Sequence, residues 1–100
     1  SGAVGDFLYR RVLGIEPDEA GYRRFRMAPV PGGGLTFAKG SLETPYGLIS
    51  CEWEIKEGRF MLQGKVPAGT TCQVRLPDGS RHEMQSGAFS FDCVMERNID

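Results

Sequence analysis

The chain has no apolar run near the roughly 20 residues a helix needs to span a bilayer, and no excess of either charge. Twelve Lys and Arg against thirteen Asp and Glu give a formal net charge of −1. That balance removes the electrostatic argument for nucleic acid or an anionic membrane surface as a partner. Histidine occurs once, at His82, on a polar stretch with no matched partner. A side-chain nucleophile needs a base beside it, so His82 reads as a surface residue. The cysteines are three, Cys51, Cys72 and Cys93, too far apart in sequence for a CxxC metal or redox pair. Their odd number demands no disulfide framework. Each falls on the apolar side of an alternating stretch, so they read as small core residues, with one disulfide plus a free thiol as the alternative. Gly32-Gly33-Gly34 opens no helix, which makes it a loop rather than a phosphate cradle. No metal and no cofactor is expected.

What the chain has is an ordinary globular balance, 40% hydrophobic and 25% charged, with Gly 14 and Pro 6 as turn formers. One hundred residues make one domain's worth of chain, with a real but thin core. Beginning at Ser1-Gly2, the sequence reads as a piece of something longer. Ala3, Val4, Phe7, Leu8 and Val12 recur at helical spacing, which predicts a helix over 3–13. Arg10 and Arg11 near its end suit the helix dipole, Gly14 can take the left-handed C′ position, and Pro17 blocks continuation.

From Tyr22 the period becomes two. Strands are expected over 22–29, 35–43 and 48–55, the last with Ile49, Cys51, Trp53 and Ile55 inward and Ser50, Glu52 and Glu54 outward. Glu57-Gly58 turns the chain into a strand bearing Phe60, Leu62 and Val66, with a bulge expected at Gly64. Cys72, Val74 and Leu76 alternate next, and Pro77-Asp78-Gly79 marks a turn. A polar edge strand over 81–85 and a last one with Phe89, Phe91 and Cys93 inward complete the pattern. No parallel βαβ unit fits, because no later helix separates the strands. The expected fold is mainly β: an antiparallel β-sandwich of seven to eight strands preceded by one N-terminal α-helix.

Three groups of residues invite a chemical reading. Glu52 and Glu54 share a strand face about 6.5–7 Å apart along the backbone, and glycoside hydrolysis uses two carboxylates. Alternating Glu opposite an apolar face is, however, what a solvated outer face looks like. Tyr46, in the Pro45-Tyr46-Gly47 turn, and Trp53 are the candidates for sugar contact, since aromatic rings stack on sugar faces. Trp53 shares its face with apolar residues and so suits the core, while Tyr46 suits a cap on the sandwich edge. Tyr22-Arg23-Arg24-Phe25-Arg26 interleaves basic with aromatic residues, which in a chain of charge −1 reads as a solvated Arg face.

Taken in order, several motifs resemble one family. The run from Gly2 through Val12 (Gly-Ala-Val-Gly-Asp-Phe-Leu-Tyr-Arg-Arg-Val), followed by Gly14-Ile15, is similar to the last catalytic-domain helix of bacterial α-L-rhamnosidases, glycoside hydrolase family seventy-eight. Pro17-Asp18-Glu19-Ala20-Gly21-Tyr22 and Phe25-Arg26-Met27-Ala28-Pro29 resemble that family's passage into its C-terminal domain. So do Pro31-Gly32-Gly33-Gly34-Leu35 and Ser41-Leu42-Glu43-Thr44-Pro45-Tyr46-Gly47, with Trp53 beyond. The likeness is strongest over 2–53 and weaker over 60–94.

The resemblance implies a fragment with two parts: residues 1–15 as the terminal helix of an (α/α)6 catalytic barrel, and 16–100 as a C-terminal β-sandwich. In such enzymes the barrel carries the Glu and Asp residues that hydrolyse terminal α-L-rhamnosides with inversion, and none of those positions lies in this sequence. The resemblance therefore transfers no catalytic residue, and the implied role is accessory and structural, with a carbohydrate-binding sandwich module as the alternative. The partner it implies is the barrel, reached through Val4, Phe7, Leu8 and Val12; those residues, left uncovered, would otherwise promote self-association. The compartment, periplasmic or cytoplasmic, stays open.

Overall fold

The computed structural model describes residues 8–19 and 21–95. Val4, Phe7 and the side chain of Leu8, three of the four expected packing residues, lie outside the described part. Among these residues eight strands build two four-stranded sheets. The first holds β1 (Ile15–Asp18), β2 (Gly21–Met27), β6 (Thr71–Arg75) and β7 (Arg81–Met84), in the order β1-β2-β6-β7. The second holds β3 (Phe37–Thr44), β4 (Gly47–Lys56), β5 (Arg59–Val66) and β8 (Gly87–Val94), in the order β3-β4-β5-β8. The chain is a β-sandwich, mainly β as its period-two patterning predicts.

Inward positions alternate as expected. Ile49, Cys51 and Trp53 of β4 meet Phe60, Leu62 and Val66 of β5, and in the other sheet Phe25 and Met27 of β2 lie beside Cys72 and Val74 of β6. The Trp53 and Phe60 rings lie 5.4 Å apart at the centre. All three cysteines are buried and free. Burial pushes the Cys51 and Cys72 thiols up to about 12, with Cys72 and Glu52 adding to the effect at Cys51, and it raises Cys93 as well.

Tight turns join the strands. Lys56 and Arg59 pair across a two-residue loop in which Glu57 and Gly58 both have positive φ, 52° and 77°. Two left-handed residues match the right-handed twist of the flanking strands. At the turn after β6, the Asp78 carboxylate accepts bonds from the Ser80 hydroxyl (2.6 Å) and amide (2.9 Å). These hydrogen bonds hold its pKa below the usual carboxylate value.

Four expectations need correction. The described part of the 3–13 helix, Leu8–Val12, is a five-residue π-helical turn rather than α-helix, because carbonyls at its end are drawn into bonds with the sandwich, as set out below. A strand over 15–18 went unanticipated, since Pro17 reads as a breaker. β1 lies at a sheet edge, where a residue without an amide donor is tolerated. The sheets are antiparallel with one exception, β2 beside β6, which pair in parallel from Arg24↔Thr71 to Met27↔Val74. The long crossover a parallel pair requires is supplied here by three strands of the opposite sheet instead of a helix. Finally, Gly64 is no bulge. It stays in continuous register with Cys51 and Phe89, and a Cβ there would stand 2.4 Å from the Phe89 ring.

Candidate functional site

The most elaborately built feature among the described residues is the seat that receives the segment leading into β1. It sits where the edge strands β1 and β3 of the two sheets face each other. Three bonds pin the segment from the β3–β4 side. The Trp53 indole Nε1–H donates to the Val12 carbonyl (2.9 Å), the Cys51 thiol donates to the Leu13 carbonyl (3.7 Å), and the Tyr9 hydroxyl donates to the Ser41 carbonyl (2.7 Å). Two more come from the chain beyond β2: the Ala28 amide donates to the Gly14 carbonyl (3.0 Å) and the Val30 amide to the Arg11 carbonyl (3.3 Å). The last carbonyls of a helical turn lack intrahelical partners, and these bonds supply them.

Two glycines make the seat possible. Gly14 has φ +71°, and a Cβ on it would lie 2.2 Å from the Ala28 carbonyl group. It therefore takes the left-handed position expected of it and adds a backbone-to-backbone approach that nothing larger permits. Gly40, in the middle of β3, lies where a Cβ would meet Leu13 Cδ1 at 2.6 Å. An isolated glycine inside a strand pattern signals a close approach, so Gly40 is the residue from which the seat could have been anticipated. Tyr9, Cys51 and Gly40 were missed as contributors because their partners are far along the chain.

The candidate residues divide sharply. Trp53 is 0% exposed and offers no ring face to a sugar; its polar edge is committed to Val12. Val12, expected to pack against another domain, is 6% exposed and buried in this chain's own core with Leu13 and Ile15. Tyr46 is 44% exposed in the loop between β3 and β4. Thr44 supports that loop, accepting from the Tyr46 amide (3.1 Å) and donating to the Gly47 carbonyl (2.7 Å). Tyr46 and Trp53 thus form no joint platform. Glu52 and Glu54 stand exposed on the outer face of β4, opposite Lys39 and Phe37 of β3. A shallow trough of about 370 Å³ lies there, lined by Glu52, Lys39, Gln63 and Lys65 but not by Glu54. On the first sheet's outer face Arg26 pairs with Glu16 (3.3 Å), in keeping with a solvated Arg face.

His82 is half-buried rather than free on the surface. Its ring stacks on Phe91 at 3.8 Å and 10° between planes, joining β7 to β8 at the edge opposite the seat. No three or more His, Cys, Asp or Glu side chains among the described residues gather as a metal site, and no described helix is long and apolar enough to cross a membrane.

Comparison with known proteins places this architecture. Residues 14–89 match the family model described as the bacterial α-L-rhamnosidase C-terminal domain. An α-L-rhamnosidase of Formosa agariphila is 38% identical over 84 residues, which are 84% of this chain and 9% of that protein. One of Streptomyces avermitilis is 38% identical over 76 residues, 76% of this chain and 7% of that protein. Among solved structures, native α-L-rhamnosidase from Aspergillus terreus superposes with a TM-score of 0.85 at 36% identity, covering 91% of this chain and 11% of that one. The Streptomyces avermitilis α-L-rhamnosidase complexed with L-rhamnose gives 0.82 at 31% identity, covering 90% and 11%. The chain thus spans about a tenth of the length of the relatives it matches. The two-sheet sandwich shared with these structures and the family match over 14–89 agree: the chain belongs to the bacterial α-L-rhamnosidase C-terminal domain family.

Proposed function

We propose that this chain is a non-catalytic accessory domain of a longer α-L-rhamnosidase-type glycoside hydrolase, a hydrolase of terminal α-L-rhamnosides acting with inversion. In that enzyme the sandwich holds the end of the catalytic portion in a fixed position and stabilises it. The observation that carries the reading is the seat. The only tryptophan of the chain, at the centre of the core, directs its indole N–H at the backbone of the segment arriving from upstream. A sandwich tethered by a flexible linker has no need to bury that bond. Here the arriving segment is part of the core, so displacing what precedes it strains the sandwich itself.

Two measurements test the reading. The isolated chain is expected to release no aglycone from an aryl α-L-rhamnoside above the buffer blank, and release above it overturns the non-catalytic role. Removing residues 14–100 from the longer polypeptide is expected to lower the melting temperature of the remainder, and an unchanged melting temperature overturns the stabilising role.

A second reading, a carbohydrate-binding module, has the exposed ring of Tyr46 in its favour. Titration with rhamnose or pectic oligosaccharides to millimolar concentration, followed by NMR, is expected to leave the Tyr46 loop unshifted. Saturable shifts there would favour binding.

A further inference from the structure

We infer that the stretch 30–37, with the groove beside it, is the face on which the preceding part of the longer polypeptide seats; this rests on the accessory-domain reading above. Of the six large hydrophobic side chains left exposed among the described residues, Val30, Leu35 and Phe37 fall within these eight residues, with Phe37 the most open at 65%. Scattered exposed apolar residues need no explanation, but a concentration of them in one stretch does. Beside Val30 lies an open groove of about 370 Å³, lined by Pro29, Pro31, Leu76, Pro77 and Met95, with Arg75 as its charged member.

Three observations name the occupant. First, the Val30 amide is bonded to the Arg11 carbonyl, so the backbone on the entry side of the seat lies against this stretch, continuous with the interface already described. Second, the relatives are about ten times longer than the part matched here, which supplies an occupant in the same molecule at high effective concentration. Third, Arg10 and Arg11 are exposed and have no ion-pair partner among the described residues. Arg11, bonded to Val30 through its backbone, and Arg75 in the groove bring positive charge to the border of the stretch. The surface that fits is therefore apolar at its centre with carboxylates at its rim.

Hydrogen exchange compared between the longer polypeptide and the 100-residue chain tests this without any substitution. Amides of 30–37 are expected to exchange about tenfold or more slowly in the longer polypeptide, while those around Leu48 and Val94, also exposed but elsewhere, keep their rates. Protection that appears instead at Leu48 or Val94, or nowhere, overturns the assignment of this face. So does protection in the 100-residue chain that rises with its concentration, which would make the occupant a second copy. As a second check, Val30→Ser/Leu35→Ser/Phe37→Ser in the longer polypeptide is expected to lower its melting temperature, and Val94→Ser is not. If removing 14–100 destabilises the remainder while 30–37 stays unprotected, the face is wrong and the accessory role stands. If removal has no effect, the accessory role itself fails.

Discussion

At the edge between β1 and β3 the two sheets are joined by a stretch of backbone, and at the edge between β7 and β8 by two stacked rings. Both closures depend on one cross-strand row, Gly40–Cys51–Gly64–Phe89. Gly40 makes room for Leu13 on one side and Gly64 for Phe89 on the other. From that shared row the edges diverge. The first is built from hydrogen bonds to carbonyls, some of them buried, and an unmade bond there leaves a polar group stranded. The second is built from the His82–Phe91 stack and the neighbouring Phe89 ring, which lose only contact and apolar burial when truncated. An edge that must hold an incoming chain in register is made of directional bonds, whereas an edge that only excludes water is made of rings.

Trp53→Ala removes both the central ring and the bond to Val12, and should cost about 3–5 kcal/mol in denaturant unfolding. Trp53→Phe keeps most of the ring but strands the Val12 carbonyl, for about 1–3 kcal/mol. A Phe variant as stable as the parent would mean that the bond contributes nothing and that the two edges are alike. At the opposite edge, His82→Ala should cost only about 0.5–1.5 kcal/mol, and a loss equal to that of Trp53→Phe would erase the distinction.

The thiols lie between the edges. Because their pKa values are raised in the folded state, the neutral form is favoured there, and stability should decline as pH rises from 9, the usual thiol value, towards about 12. At pH 8 a thiol reagent should leave the native protein unlabelled and modify three cysteines after unfolding. The smallest effect belongs to Asp78, fully exposed in its turn. Its folded pKa is lowered, so its contribution is present above pH 3.8 and fades as pH falls below that. Asp78→Asn should flatten only that acidic part of the melting-temperature profile.

Much of this could be read along the chain. Alternation at Ile49–Ile55 and Cys72–Leu76 located strands and core residues because period two is a local property. The turns at Glu57-Gly58 and Pro77-Asp78-Gly79 were legible for the same reason, since positive φ and proline geometry are set within a few residues. What escaped was every feature that needs a distant partner. His82 reads as a surface residue until β7 is laid beside β8. Pro17 reads as a stop until β1 proves to be an edge. Trp53 was legible as a core ring, but its bond to Val12 spans 41 residues and has no sequence signature. The seat follows the same rule: Gly14 was anticipated from its place after a helix, while Gly40 signals a close approach in the sequence but not that its partner is Leu13.

The chain has a single indole, so one proton reports on the seat. In native-state hydrogen exchange, the Trp53 Nε1–H is predicted to be protected nearly as strongly as the slowest amides of β4 and β5, opening only with global unfolding. Exchange of that proton at the rate of the loop amides, with the strands still protected, would show that the leading segment is not held by the sandwich and would contradict the account.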